Sequence, residues 1–179
     1  MEILIDRSHA ADEIGRLPVE GLVRFALESE GAPDNCEVSI AFVDDGEMAR
    51  LNRDFRGKSG PTDVLSFECD GIDDGFGGDP AGADVPVELG DVPVELGDVI
   101  IAPDVARRQS SRFEHSFEAE VSLLLVHGIL HLCGYDHIED DEAEEMEARE
   151  REILAAWADR GHEAVRGVCD DTVRVRGEH

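Results

Sequence analysis

Between His127 and His137 the chain reads HGILHLCGYDH, three histidines and a glycine spaced His-x-x-x-His-x-x-Gly-x-x-His. No other feature constrains the fold so tightly. A helix advances about 100° per residue, so residues four apart sit about 40° from each other on one face and about 6 Å apart along the axis. A helix here lets His127 and His131 reach one ion. Gly134 supplies the backbone freedom at which a helix ends, and the returning chain can bring His137 to the same point. Three neutral imidazoles at about 2.0–2.1 Å suit Zn²⁺ and leave the fourth position open to water, the arrangement of a catalytic rather than a structural site. The plainer alternative, unrelated histidines on a core helix, has to place three of the chain's seven histidines within eleven residues by chance.

The same spacing occurs in the metzincin proteases, where a glutamate general base follows the first histidine. Here that position is Gly128. A peptide-hydrolysing site would lack its proton acceptor, and a glycine inside a helix costs about 1 kcal/mol relative to alanine unless close packing or ligand approach requires it. The spacing therefore predicts a retained metal cage with different chemistry around it.

With 179 residues the chain is expected to form one domain with a substantial core. No run of about 20 apolar residues is present, and MEILIDRSHA reads as the start of a strand rather than a signal peptide, so a cytoplasmic protein without a membrane span is expected. Cys36, Cys69, Cys133 and Cys169 are scattered without a Cys-x-x-Cys pair, which favours reduced thiols. Cys133, two residues beyond His131, turns away from the metal face and reads as packing. Sixteen basic against forty-three acidic residues give a net charge of −27, which repels a nucleic-acid backbone over most of the surface. Fifteen of the sixteen are Arg and only Lys58 is Lys. Such a balance suits a salty cytoplasm, where screening falls to about 3 Å at 1 M, and charge then reflects habitat more than partner. A surface built to repel phosphate or to bind cationic partners is the alternative.

Glu2 to Ile5 alternates as a short strand, and Pro18 opens a helix bearing Val19, Leu22, Val23, Ala26 and Leu27 at helical spacing. Cys36 to Val43 reads as a strand, and Asp44 or Asp45 can cap a helix carrying Met48, Leu51 and Phe55. A turn at Gly57 to Pro61 leads to the apolar strand Thr62 to Phe67. Residues 70–97 are rich in Gly, Asp and Pro, lack any basic residue, and contain DVPVELG twice, at 84–90 and 91–97. The expectation is a solvated acidic loop with a slipped duplication that does no chemistry. A strand Asp98 to Ala102, a helix from Pro103 through Arg112, an apolar helix from about Phe117 to Cys133 and an acidic helix Glu139 to Asp159 follow. In the last, Met146, Ile153, Leu154 and Trp157 form a core stripe. From Gly161 onward a flexible tail is expected, which makes His162 and His179 poor ligand candidates.

Three segments, NRDFRGKSGPTDVLSFE at 52–68, LGDVIIAPDVA at 96–106 and HGILHLCGYDHIEDDEAEEMEARE at 127–150, resemble the YbeY family of metal-dependent endoribonucleases. The resemblance covers roughly residues 1–160. It implies an α+β fold, a small mixed β-sheet packed against helices, with a central apolar helix carrying the metal histidines. It also implies one Zn²⁺ per chain held by His127, His131 and His137, and a functional arginine at Arg56. The implied partners are 16S rRNA precursor and the small ribosomal subunit, in 3′-end maturation and ribosome quality control, with no membrane and no dinucleotide cofactor. The acidic 70–97 loop, the net charge and the tail 161–179 depart from the family pattern.

The chemistry of the residues agrees with that implication. Zinc bound by neutral imidazoles lowers the pKa of water toward about 7, so no glutamate at 128 is needed to activate it. The remaining requirement in phosphoryl transfer is charge stabilisation, which a planar guanidinium meets better than an ammonium. Arg56 is the candidate, with a plain surface arginine as the alternative; Arg53 and Lys58 flank it as RNA contacts or as solvated side chains. Arg107, Arg108 and Arg112 could extend the patch. His115 reads as a residue at a helix start, and Asp136 either orients an imidazole or stabilises its turn, the turn role being preferred. The competing functions are a metallopeptidase with metzincin-like spacing and a non-enzymatic ribosome-assembly factor with structural zinc.

Overall fold

The structure, a computed structural model, describes residues 1–69, 93–136 and 138–169. Alternating strands β1 (Glu2–Asp6) and β2 (Cys36–Phe42) are separated by the short helix α1 (Ala11–Ile14) and by α2 (Val19–Ser29). Then come α3 (Asp45–Arg56), β3 (Val64–Glu68), β4 (Val94–Ile101), α4 (Pro103–Arg112), α5 (Phe117–Leu132), α6 (Asp140–Asp159) and a 3₁₀ segment, Glu163–Cys169. The four strands form one mixed sheet in the order β1-β2-β4-β3, with β1–β2 and β2–β4 parallel and β3–β4 antiparallel. This is the expected α+β architecture, and β3 lies at an edge among the described strands.

Helix α5 is the centre of the molecule. Thirteen of its sixteen residues are buried, which is why its apolar residues run all round it rather than along one stripe. The Ser116 hydroxyl caps it by accepting from the Ala119 N–H at 3.0 Å, and it ends where Gly134 takes φ 100°, a conformation natural to glycine. The main core joins α5 to one face of the sheet and to α2 and α6. A smaller cluster of Met48, Leu51, Leu65, Ala102 and Val105 sits under α3. Val64 belongs to the first cluster and Leu65 to the second. Successive strand residues point to opposite faces, so β3 is clasped between α5 on one side and α3 on the other.

Gly128 answers the question raised by its place in mid-helix. A Cβ there would meet Val99 Cγ1 of β4 at 2.5 Å, so the missing side chain lets α5 press directly onto the sheet. Ser66 of β3 adds a hydroxyl donated to the Gly128 carbonyl at 3.4 Å.

Two expected boundaries shift. Strand β4 begins at Val94, inside the second DVPVELG copy, so the loop assigned to 70–97 gives way before its end. The cause is strand pairing: Val94 pairs with Cys36, Glu95 with Glu37 and Gly97 with Val38, leaving buried Leu96 as a bulge. Gly97 has φ 135°, and a Cβ there would stand 2.0 Å from the Phe67 carbonyl oxygen, so that position admits only glycine. The first copy and residues 70–92 lie outside the described residues. The boundary expected at Gly161 shifts as well: Val165 and Val168 of the 3₁₀ segment are buried in the main core, the His162 ring stacks on Trp157 at 3.9 Å, and residues 170–179 of the expected tail lie outside the described residues.

Candidate functional site

The helical spacing brings His127 and His131 together as expected, with ring centroids 4.6 Å apart and their Nε2 atoms 3.1 Å apart. Each ring's other nitrogen is occupied. His127 Nδ1 lies 2.5 Å from Glu150 Oε1 of α6, and His131 Nδ1 lies 2.9 Å from the Tyr135 carbonyl oxygen. A carboxylate and a carbonyl can only accept, so both Nδ1 atoms carry protons and both Nε2 lone pairs face one point. Two lone pairs at that distance need a positive centre, a shared proton or a cation. A tetrahedral ion with imidazole bonds of about 2.0–2.1 Å would separate its nitrogens by about 3.3–3.4 Å, close to what is present. Nδ1–H donated to a carboxylate or a backbone carbonyl is also how metal-binding histidines are usually oriented. The donor chemistry thus fits a metal at Nε2.

The third expected ligand, His137, lies outside the described residues, and among the described residues no group of three His, Cys, Asp or Glu side chains converges as a metal cage.

The acceptors are themselves held. Arg149, beside Glu150 on α6, donates from Nε to Glu30 Oε1 at 2.5 Å and from Nη2 to the Ser29 carbonyl at 2.8 Å, tying α6 to the end of α2. Burial and the Glu30 carboxylate beside it raise the Tyr135 phenol above its ordinary range. The Tyr135 ring packs against the main core, which holds the turn whose carbonyl orients His131. Asp136 is neither of the two acceptors described for the rings and is exposed. Burial pushes the Cys133 thiol up to about 12, in keeping with a packing role.

Arg56 enters the same site from the other side. A cleft of about 360 Å³ is lined by Phe55, Arg56, Val64, Leu65, Ser66, Phe67, Glu68, His127 and His131. Arg56 is on the last turn of α3, which Gly57 closes at φ 66°, its N–H donating to the Arg53 carbonyl. Buried Asn52 donates from Nδ2 to the Gly60 carbonyl at 2.8 Å and so fastens the following turn to the helix. Among the described residues Arg56 makes no ion pair.

The other basic residues are arranged differently from one another. Arg53 is exposed and 3.4 Å from Asp54, and Lys58 is exposed on the turn. Arg107 and Arg108 do not extend the patch, because Arg107 is bound to Asp104 and Glu13 and Arg108 to Asp45. Arg112 lies over the Phe113 ring at 5.6 Å. His115 precedes the cap of α5 and pairs with buried Glu120.

Glu150 is the histidine partner at this site that sequence reasoning missed. One signal could have found it: Met146, Glu150, Ile153, Leu154 and Trp157 share one helical stripe, so Glu150 is a carboxylate on a buried face.

The family model for Endoribonuclease YbeY matches residues 6–158. The chain is 38% identical to the protein named Endoribonuclease YbeY from Bacillus subtilis, over 86% of this chain and 93% of that one. It is 46% identical to the Geobacillus thermodenitrificans protein of the same name, over 78% and 84%, and 39% identical to that of Frankia alni, over 88% and 83%. A solution structure of a Thermotoga maritima protein, 23% identical and covering all of both chains, aligns with a TM-score of 0.52 and supports the fold.

Proposed function

The chain belongs to the Endoribonuclease YbeY family, and on that premise we propose that it is a zinc-dependent endoribonuclease selective for single-stranded RNA. Its proposed setting is the cytoplasm, in 16S rRNA 3′-end maturation and ribosome quality control, with precursor RNA of the small subunit as substrate. Residues 1–160 form the nuclease unit in this reading. No described helix is long and apolar enough to cross a membrane.

The observation that carries the reading is the meeting of Arg56 and two oriented imidazoles in one cleft. His127 and His131, with His137 as third ligand, would hold the ion. A zinc ion there supplies a Lewis acid that lets water act as a nucleophile at neutral pH and offsets negative charge on phosphate. The protein's own groups do the rest. Glu150 and the Tyr135 carbonyl keep both rings in the tautomer that offers Nε2. Arg56 grips two oxygens of the scissile phosphate and stabilises the charge that grows during transfer, with Arg53 and Lys58 meeting neighbouring phosphates. On a chain of net charge −27, such local cations set where a polyanion can approach.

A peptidase reading finds no support in the packing. The position that would hold a catalytic glutamate faces Val99 with no room for even a Cβ. The test is cleavage of one labelled RNA, single-stranded and in duplex, by purified protein before chelation, after chelation and after zinc is restored, with a peptide library in parallel. Single-strand cleavage lost with the metal and regained with zinc is expected. Metal-dependent peptide cleavage with RNA intact would overturn it.

A further inference from the structure

The cleft has an apolar wall that phosphate chemistry does not use. Phe55 is 64% exposed, one of three large hydrophobic side chains that the described residues leave in solvent, on a surface rich in carboxylates. Its ring tilts at 67° to Phe67 with centroids 5.0 Å apart. Phe67 in turn packs against the cluster under α3. Among the described residues Phe55 is therefore braced by Phe67 and otherwise exposed. It precedes Arg56 on the last turn of α3, where the Gly57 cap and the Asn52 bond to Gly60 fix the backbone beneath both. The cleft's lining combines apolar Phe55, Phe67 and Leu65 with Arg56, His127 and His131. A nucleotide combines the matching pair of groups, a flat apolar base and an anionic phosphate.

We propose that Phe55 is the stacking platform for an unpaired nucleobase whose adjoining phosphate is held by Arg56, and that this contact gives the site its preference for single-stranded RNA. The inference rests on the RNA reading of the site. A base inside a duplex already has both faces covered by its neighbours, so only a single-stranded or extruded base can occupy the platform. Because every base has a π-face, the contact selects strandedness without reading sequence.

The test uses the metal-loaded full chain and a short single-stranded RNA in which one abasic ribose is moved position by position. Binding is followed by fluorescence anisotropy and cleavage in single turnover. For the unaltered protein, one abasic position next to the cleaved bond should weaken binding by about 5- to 150-fold, the range for loss of one base–aromatic stack. Phe55→Ala should weaken binding of intact RNA by the same factor and become indifferent to the abasic site. Phe55→Leu, which keeps apolar bulk, should behave like Ala, and Phe55→Trp should restore the discrimination. The substitutions fall on an exposed side chain, and thermal unfolding curves control for folding. If Phe55→Ala keeps both affinity and abasic discrimination, the platform is overturned and the patch serves another partner. If no variant cleaves RNA, the nuclease reading fails, while the anisotropy data still decide whether a base sits on Phe55.

Discussion

Nε2 of His127 and Nε2 of His131 stand 3.1 Å apart, each on a ring whose other nitrogen already meets an oxygen acceptor. The two acceptors come from different places, a side chain on α6 and a main-chain carbonyl in the turn after α5, so three segments must be in register for both lone pairs to converge.

Glu150→Gln should weaken zinc binding by about 10- to 100-fold while leaving the fold intact, as loss of an outer-shell partner usually does. Gln keeps the size and removes the charge that favours a proton on His127 Nδ1. Competition with a chromophoric chelator measures it, and unchanged affinity would detach Glu150 from the site.

Gly128→Ala should destabilise the protein by about 1–3 kcal/mol in urea unfolding, because the added methyl meets Val99 Cγ1 at 2.5 Å. Val99→Ala creates a cavity by itself, yet combined with Gly128→Ala it makes room for that methyl. The double variant should therefore be more stable than the sum of the single losses. Strict additivity would mean that the two residues do not press on each other.

Gly97→Ala should cost about 2–4 kcal/mol, since it imposes a side chain at φ 135° against the Phe67 carbonyl. Removing one DVPVELG copy should cost little. Deleting 84–90 or 91–97 produces the same sequence, and the surviving copy still supplies Val-Glu-Leu-Gly to start β4. A deletion as damaging as Gly97→Ala would show that the seven extra residues contribute packing of their own rather than spare length.

Asp104 links His9 to the start of α4, and its hydrogen bonds to His9 and Arg107 hold its carboxyl below the ordinary carboxylate range. A lowered folded pKa contributes stability above the unfolded value of 3.8 and loses it as pH falls through the folded value. Asp104→Asn should therefore be less stable at pH 7 by about 1 kcal/mol, and the gap should close below pH 3.8. A gap that persists unchanged in acid would point to packing rather than charge.

The histidine helix was legible in sequence because its spacing, its apolar run and its terminating glycine all specify the same geometry. The sheet was legible strand by strand, but the start of β4 was not. Composition draws the boundary where Gly, Asp and Pro end, whereas the pairing with Cys36 and Glu37 decides that Val94 and Glu95 already belong to the strand. Glu150 was hidden by company: α6 carries many acidic residues, and only its place on the buried stripe separates it from those in solvent. Arg107 and Arg108 misled for the converse reason, since a run of cations gives no hint that Asp104, Glu13 and Asp45 will fold against it.

Arg56→Lys tests the central claim most directly. Lysine keeps the charge and loses the planar two-point grip on phosphate, so the folded, zinc-loaded variant should cleave single-stranded RNA at least about 10²-fold more slowly in single turnover. Salt must be varied across the series, because self-repulsion at net charge −27 would otherwise mix folding with catalysis. Cleavage at the unaltered rate wherever both proteins are folded would contradict the account, since the cleft would then need another cation to hold the phosphate.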